Sequence, residues 1–154
     1  ARRDLAALNE EIDELIGALR DLVQGIMPAA LVERGLIAAV EDLAGRIPLP
    51  LAFQVRGDFT RRAPAHVESV AYFVVAEAIA NVLKHANAGS IRLELRRDDE
   101  RLTVAVSDDG VGGATAKPGH GMCGLEDRVR ALGGCLRFES GDEGTRIEAE
   151  VPCA

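Results

Sequence analysis

Apolar positions recur along this chain with two periods, and the switches between them mark out its elements. Over residues 4–25 a stripe of Leu5, Leu8, Ile12, Leu15, Leu19 and Leu22, continued by Ile26, returns at spacings of three and four. Charged residues fill the gaps, which predicts an amphipathic helix. Such a stripe must cover its own domain or a partner helix, and Gly25 with Met27-Pro28 ends it. A second helix is expected over about 36–44, closed off by Pro48 and Pro50. Residues 51–55 alternate well enough for a strand, and Pro64 suits the first turn of a long helix reaching about Ala86. Asn87-Ala-Gly89 supplies residues for a left-handed cap. Period-2 patterns over 91–95 and 102–106 predict two strands joined by a turn at 97–101. A helix over 125–132, stopped by Gly133-Gly134, leads into a hairpin of 135–139 and 146–151 across Gly141–Gly144. Strands on one side and helices on the other predict an α+β fold in two layers.

The long helix interrupts its own pattern. From Val70 to Leu83 only Glu77 and Asn81 carry a carboxylate or carboxamide. At about 100° per residue, Glu77, Asn81, Lys84 and His85 fall on one stripe. Polar groups in so apolar a helix are costly unless they are satisfied. One of them reads as a satisfied core residue; an acid, an amide, a lysine and an imidazole together read as a site for a metal and phosphates.

Composition narrows the function classes. The chain has 154 residues, 47% hydrophobic and 28% charged, which suits one globular domain plus an appendage and argues against disorder. No apolar run approaches the roughly 20 residues of a membrane span, and the start Ala-Arg-Arg-Asp has neither an initiator Met nor a signal-peptide core. The chain is therefore expected to be a piece of a longer protein. A net charge of −7, aromatics at 3% and no long basic cluster argue against nucleic-acid binding. Cys123, Cys135 and Cys153 lack metal-ligand spacing and are expected to be buried, reduced thiols of a cytosolic protein.

Two glycine-rich segments add to the stripe. In Asp108-Asp109-Gly110-Val111-Gly112, directly after a strand, an acidic side chain could accept from the exocyclic amine of a base while the glycines admit a flat ring. The same residues also suit a plain Asp-Gly turn. Gly119-His120-Gly121-Met122-Cys123-Gly124-Leu125 opens a helix, where free N–H groups and the helix dipole suit phosphate. It is neither a Walker loop nor a dinucleotide fingerprint.

The order of these segments, with Gly144-Thr145 in the last hairpin, resembles the catalytic ATP-binding domain of sensor histidine kinases, in the gyrase, Hsp90 and MutL ATPase superfamily. The likeness covers about residues 50–152. Pro64, Lys84-His85-Ala86, the run from Gly124 to Gly134 and the short segment Gly113–Pro118 are similar to the NarL/DesK-like subgroup. Gly25-Ile-Met-Pro28 with Leu31 and Gly35-Leu36 resembles the end of that subgroup's dimerisation helices and linker.

The resemblance implies a Bergerat fold: a mixed sheet of about five strands on about three helices, with a helical segment over 1–47 and an ATP-binding domain over 48–154. It implies ATP and Mg²⁺ as ligands. Asp108 would accept from the adenine amine, with Gly110 and Gly112 beside it and Thr145 lining the pocket. Asn81 would coordinate Mg²⁺. Glu77 would be, or position, the general base, and Lys84 and His85 would lie against phosphates. Gly119, His120, Gly121, Met122, Gly124 and Leu125 would form the lid and the helix start over the nucleotide.

The family's phosphoacceptor histidine has no counterpart at His66, His85 or His120, and His66 reads as a solvated surface residue. Alone, the chain is expected to bind ATP without phosphorylating itself. Implied partners are the dimerisation and phosphoacceptor helices of a homodimeric parent and, through it, a response regulator. The domain is expected in the cytoplasm, with membrane anchoring of the parent left open. The rival readings are a non-catalytic ATP-sensing interaction module, opposed by the intact Glu77 and Asn81, and another ATPase of the superfamily: Hsp90-like, MutL-like or an anti-sigma kinase.

Overall fold

The computed structural model describes residues 27–112 and 122–153. The amphipathic helix expected over 4–25 lies outside them. Two short helices, α1 (Ala29–Arg34) and α2 (Leu36–Ala44), precede strand β1 (Leu51–Gly57). The long helix α3 (Ala65–Asn81) continues as a π turn over Val82–Ala86. Strands β2 (Ile91–Arg97) and β3 (Arg101–Asp108), helix α4 (Met122–Ala131) and strands β4 (Cys135–Gly141) and β5 (Gly144–Pro152) complete the order. The expected α+β two-layer architecture, with a mixed five-stranded sheet, is what is found, the described residues adding α1 to the expected helices.

The sheet runs β1-β2-β3-β5-β4. β1 pairs with β2 in parallel, the helix α3 making the crossover, and every other pairing is antiparallel. The last strand thus lies inside the sheet, between β3 and β4. Register explains the core. Phe53, Leu93, Val106, Ile147 and Phe138 form one row across all five strands, and Val55, Leu95, Val104, Ala149 and Leu136 form the next. Alternation puts both rows on one face, where the helices cover them except at Val55 on the edge strand, which is exposed.

α3 fills that face because it is apolar nearly all round: Val67, Ala71, Val74, Val75, Ala78 and Ile79 are all buried. By length and composition Ala65–Ala86 could also cross a membrane, but 56% of its apolar window is buried against the rest of the fold. Pro64 sits at the cap position, one residue ahead of the first helical residue, its carbonyl accepting from Val67 N–H at 2.9 Å.

The segment before β1 shares this core through Leu31, Leu36, Ala39 and Val40. Arg62 fastens it. Its guanidinium donates to the carbonyls of Leu31 (2.7 Å) and Val32 (2.8 Å) in the last turn of α1, Leu31 also accepting from the Gly35 N–H. The same group pairs with Glu68, a carboxylate 4% exposed in the first turn of α3. Among the cysteines only Cys153 is buried; Cys123 is half-buried and Cys135 exposed. The expected burial fails at Cys135 because Leu136 and Phe138 take the inward positions of β4, which turns residue 135 outward.

Candidate functional site

The apolar rows of the sheet end in a polar one. β3 places Leu102, Val104 and Val106 on the helix side, and the same alternation carries Asp108 to the next inward position, in register with Ile91 of β2. On the other side of β3 the inward positions at that end of β5 and β4 are Thr145 and Ser140, paired with each other and with their hydroxyl oxygens 3.0 Å apart. Asp108 is half-buried. Its Oδ1 accepts from Gly110 N–H at 2.8 Å, and among the described residues Oδ2 takes no hydrogen bond. An acceptor oxygen at the edge of an apolar core suits an amine donor on a flat, otherwise apolar ring.

The C-terminal part of α3 carries the second group. Glu77 is buried, 5% exposed, Asn81 is half-buried, and Lys84 and His85 are exposed on the π turn. A π turn widens the helix by one residue and recurs at functional sites. Asn87 then turns left-handed (φ 46°, ψ 43°), as expected for an Asn cap. His66 is exposed, in keeping with a surface histidine.

Four hydrogen bonds and close packing at three glycines lock these segments together. Val111 N–H donates to the carbonyl of Ala86, the last residue of the π turn, at 2.9 Å. A methyl group on Gly110 would lie 2.2 Å from that same carbonyl oxygen. Asp109 Oδ1 accepts from the N–H groups of Gly89 and Ser90, and Oδ2 from Ser90 Oγ, each at 2.8 Å. These bonds, the Ser90 amide foremost and then its hydroxyl and the Gly89 amide, hold the Asp109 carboxyl below the usual carboxylate range. On the other side, Gly144 (φ 121°) packs so that a methyl there would meet the Asp108 carbonyl oxygen at 2.0 Å, and one on Gly112 would meet that of Gly141 at 1.7 Å. Glycine is thus required at 110, 112 and 144 by the chain's own backbone, a reason the sequence reading did not see. It also passed over Asp109 and Ser90. An acid directly before a Gly, facing a loop that follows a helix end, was the available signal.

The third expected segment divides. Gly119, His120 and Gly121 lie outside the described residues. Met122 and Leu125, 7% and 1% exposed, are part of the hydrophobic core, so their packing explains them without a ligand. Gly124 is exposed, and a methyl group there would meet nothing within 4 Å. α4 rests on α3 partly through Arg128, whose guanidinium lies 5.9 Å from the ring centre of Phe73, one turn before Glu77. A cleft of about 520 Å³ opens near the other end of α3, walled by Pro28, Arg34, Asp42, Arg46 and Tyr72. None of the candidate residues lines it.

Comparison with known proteins places this arrangement. Residues 66–154 match the model of the histidine kinase-, DNA gyrase B- and HSP90-like ATPase family. The sensor histidine kinase MctS of Rhizobium johnstonii is 30% identical over 97% of this chain and 34% of its own length. The sensor histidine kinase NarS of Mycobacterium tuberculosis is 32% identical over 87% of the chain and 33% of its own length. ComP of Bacillus subtilis, also a sensor histidine kinase, is 28% identical over 96% of the chain and 20% of its own length. The chain therefore spans about a fifth to a third of these curated relatives. Among solved structures, the histidine kinase domain of the Erythrobacter litoralis EL346 blue-light activated kinase superposes with a TM-score of 0.55 at 26% identity, over 75% of this chain and 56% of that one. With the family match spanning the site and most of the sheet, this chain belongs to the histidine kinase-, DNA gyrase B- and HSP90-like ATPases.

Proposed function

We propose that the chain is the ATP-binding catalytic domain of a sensor histidine kinase, transferring the γ-phosphoryl group of ATP to a histidine on dimerisation helices outside this sequence. The observation that carries this reading is the convergence of three segments: the end of α3 with Asn81, Lys84 and His85, the exit of β3 with Asp108, and the β4–β5 turn with Thr145. Asp108 would read the adenine amine through its Oδ2, and Thr145 would line the same end of the sheet. Lys84 and His85, exposed on the π turn, would meet the phosphates.

The donor chemistry fits Mg²⁺. Asn81 offers a hard oxygen one helical turn after Glu77, and among the described residues no group of three or more His, Cys, Asp or Glu side chains converges on a metal. The ion would be held by Asn81 together with the nucleotide's own phosphate oxygens. It supplies charge neutralisation across the transferring group. Glu77, buried one turn before Asn81, would act as or position the general base on the attacking imidazole. Gly119, His120, Gly121 and Gly124 would cover the phosphates from the start of α4.

The segment over 1–47 is proposed as the end of the parent's dimerisation region and its linker, and the parent as a homodimer that passes the phosphoryl group to a response regulator. The domain would work in the cytoplasm, where ATP is supplied. The test has two readouts. ATP with Mg²⁺ should raise the melting temperature, by the equivalent of about 2.7 kcal/mol at a hundredfold excess over Kd. Mixing the chain with a phosphoacceptor fragment should yield phosphohistidine. Stabilisation with no transfer would favour the ATP-sensing module, and no stabilisation would remove the nucleotide reading altogether.

A further inference from the structure

Asp109 touches neither the base-reading oxygen nor the phosphate-facing turn, yet it joins the two. It follows Asp108 in the chain, and its carboxylate collects three donors from the loop that leaves the π turn: the amides of Gly89 and Ser90 and the Ser90 hydroxyl, each at 2.8 Å. Around it, Val111 N–H bonds to the Ala86 carbonyl and Gly110 packs directly against that peptide. Among the described residues, Asp109 and its partner Ser90 supply the side chains of this joint; the other contacts are made by backbone.

We propose that Asp109 is a positioning residue that fixes the distance between the adenine-reading end of the site, at Asp108, and the Mg²⁺- and phosphate-holding end, at Asn81, Lys84 and His85. This inference rests on the reading of the site as an ATP pocket. Its physical basis is that a ligand with contacts at both ends gains from them together only when their separation is already set; otherwise binding must order the joint. A ligand contacting one end does not depend on the joint. Asp108 keeps its own supports without Asp109, namely the β3 pairing, the Gly110 amide and the close packing of Gly144.

The test compares ATP with adenosine on Asp109→Ala and Asp109→Asn, each with Mg²⁺, by competition against a fluorescent ATP analogue. Asp109→Ala should weaken ATP about tenfold, the scale expected on losing a supporting contact behind a binding group. Adenosine, which reaches only the Asp108 end, should bind as it does to the unmodified chain. Asp109→Asn should restore ATP binding, because its carbonyl oxygen can still accept both amides while its NH₂ donates to Ser90 Oγ. Hydrogen exchange at the Gly89 and Ser90 amides reports the joint itself: fast in Asp109→Ala, protected in Asp109→Asn. Equal losses for ATP and adenosine, an unchanged ATP affinity in Asp109→Ala, or an Asn variant no better than Ala would each overturn the proposal. An unmodified chain that binds no ATP overturns the functional reading and this inference together, whereas ATP binding that is indifferent to Asp109 overturns the inference alone.

Discussion

Helix α3 buries two glutamates on one element, and they answer to different needs. Glu68, 4% exposed in the first turn, faces the positive end of the helix dipole and pairs with Arg62, which also caps the carbonyl end of α1. Its burial is accounted for by structure alone. Glu77, 5% exposed, lies about two and a half turns further on, past the reach of that dipole, with the half-buried carboxamide of Asn81 one turn beyond it. One acid joins the preceding segment to the domain; the other is the proposed general base. A buried carboxylate is therefore no sign of function until its neighbours are named.

The contrast can be broken by substitution, and the largest effect belongs to the site end. Glu77→Gln should cut phosphoryl transfer to an acceptor fragment by about 10²–10⁴-fold, the usual worth of a general base, with ATP binding and melting temperature close to unmodified. Transfer at the unmodified rate would remove Glu77 as base. Asn81→Ala should next abolish the Mg²⁺-dependent part of ATP affinity, read by titrations with and without the metal; an affinity still responsive to Mg²⁺ would contradict the metal assignment. At the other end, Glu68→Ala should lower stability by about 1–2 kcal/mol in denaturant unfolding. That figure straddles the lower end of the range of about 1.5–3 kcal/mol for hydrogen bonds to charged groups, because the Arg62 side chain is 47% exposed to water. ATP affinity should not change, and a coupled loss would mean that the two ends of α3 communicate.

The smallest effect is a pH dependence at the joint between the segments. The Asp109 carboxyl is held below its ordinary value of 3.8, first by the Ser90 amide and then by the Ser90 hydroxyl. A depressed carboxylate contributes its stabilisation above the unfolded-state value and loses it as the pH falls through the folded-state value. Exchange protection at Gly89 and Ser90 should thus be constant from neutral pH down to about 4 and fall only below 3.8. Loss of protection near pH 6 would point to a different titrating group.

Most of the sheet was legible because each strand reports its own alternation: Leu93 and Leu95, Val104 and Val106, Ile147 and Ala149 are inward in both sequence and structure. So were α3 and its left-handed Asn87 end, both of them local patterns. The parts that escaped depend on distant partners. α1 is six residues long, and its end is met by a guanidinium some thirty positions away, which no window of sequence contains. Gly110 reads in sequence as room for a flat ring and Gly144 as part of a hairpin turn, yet each answers to a backbone oxygen from another segment. Cys135 is the opposite case. The alternation with Leu136 and Phe138 already turned it outward, and the general tendency of cysteine to be buried was the wrong rule to apply.

The place of β5 has a consequence for how the chain can be made. Residues 144–152 are synthesised after everything they hold together, yet they form an interior strand between β3 and β4. Until they leave the ribosome, Leu102, Val104 and Val106 have a partner on one side only, and β4 has none at all. Cys153 N–H then ties the end of that strand to the Glu100 carbonyl in the turn between β2 and β3, at 2.8 Å. A nascent chain stopped at residue 143 would expose an apolar row and an open sheet edge, which is a template for aggregation. Closing this sheet waits for its last nine residues.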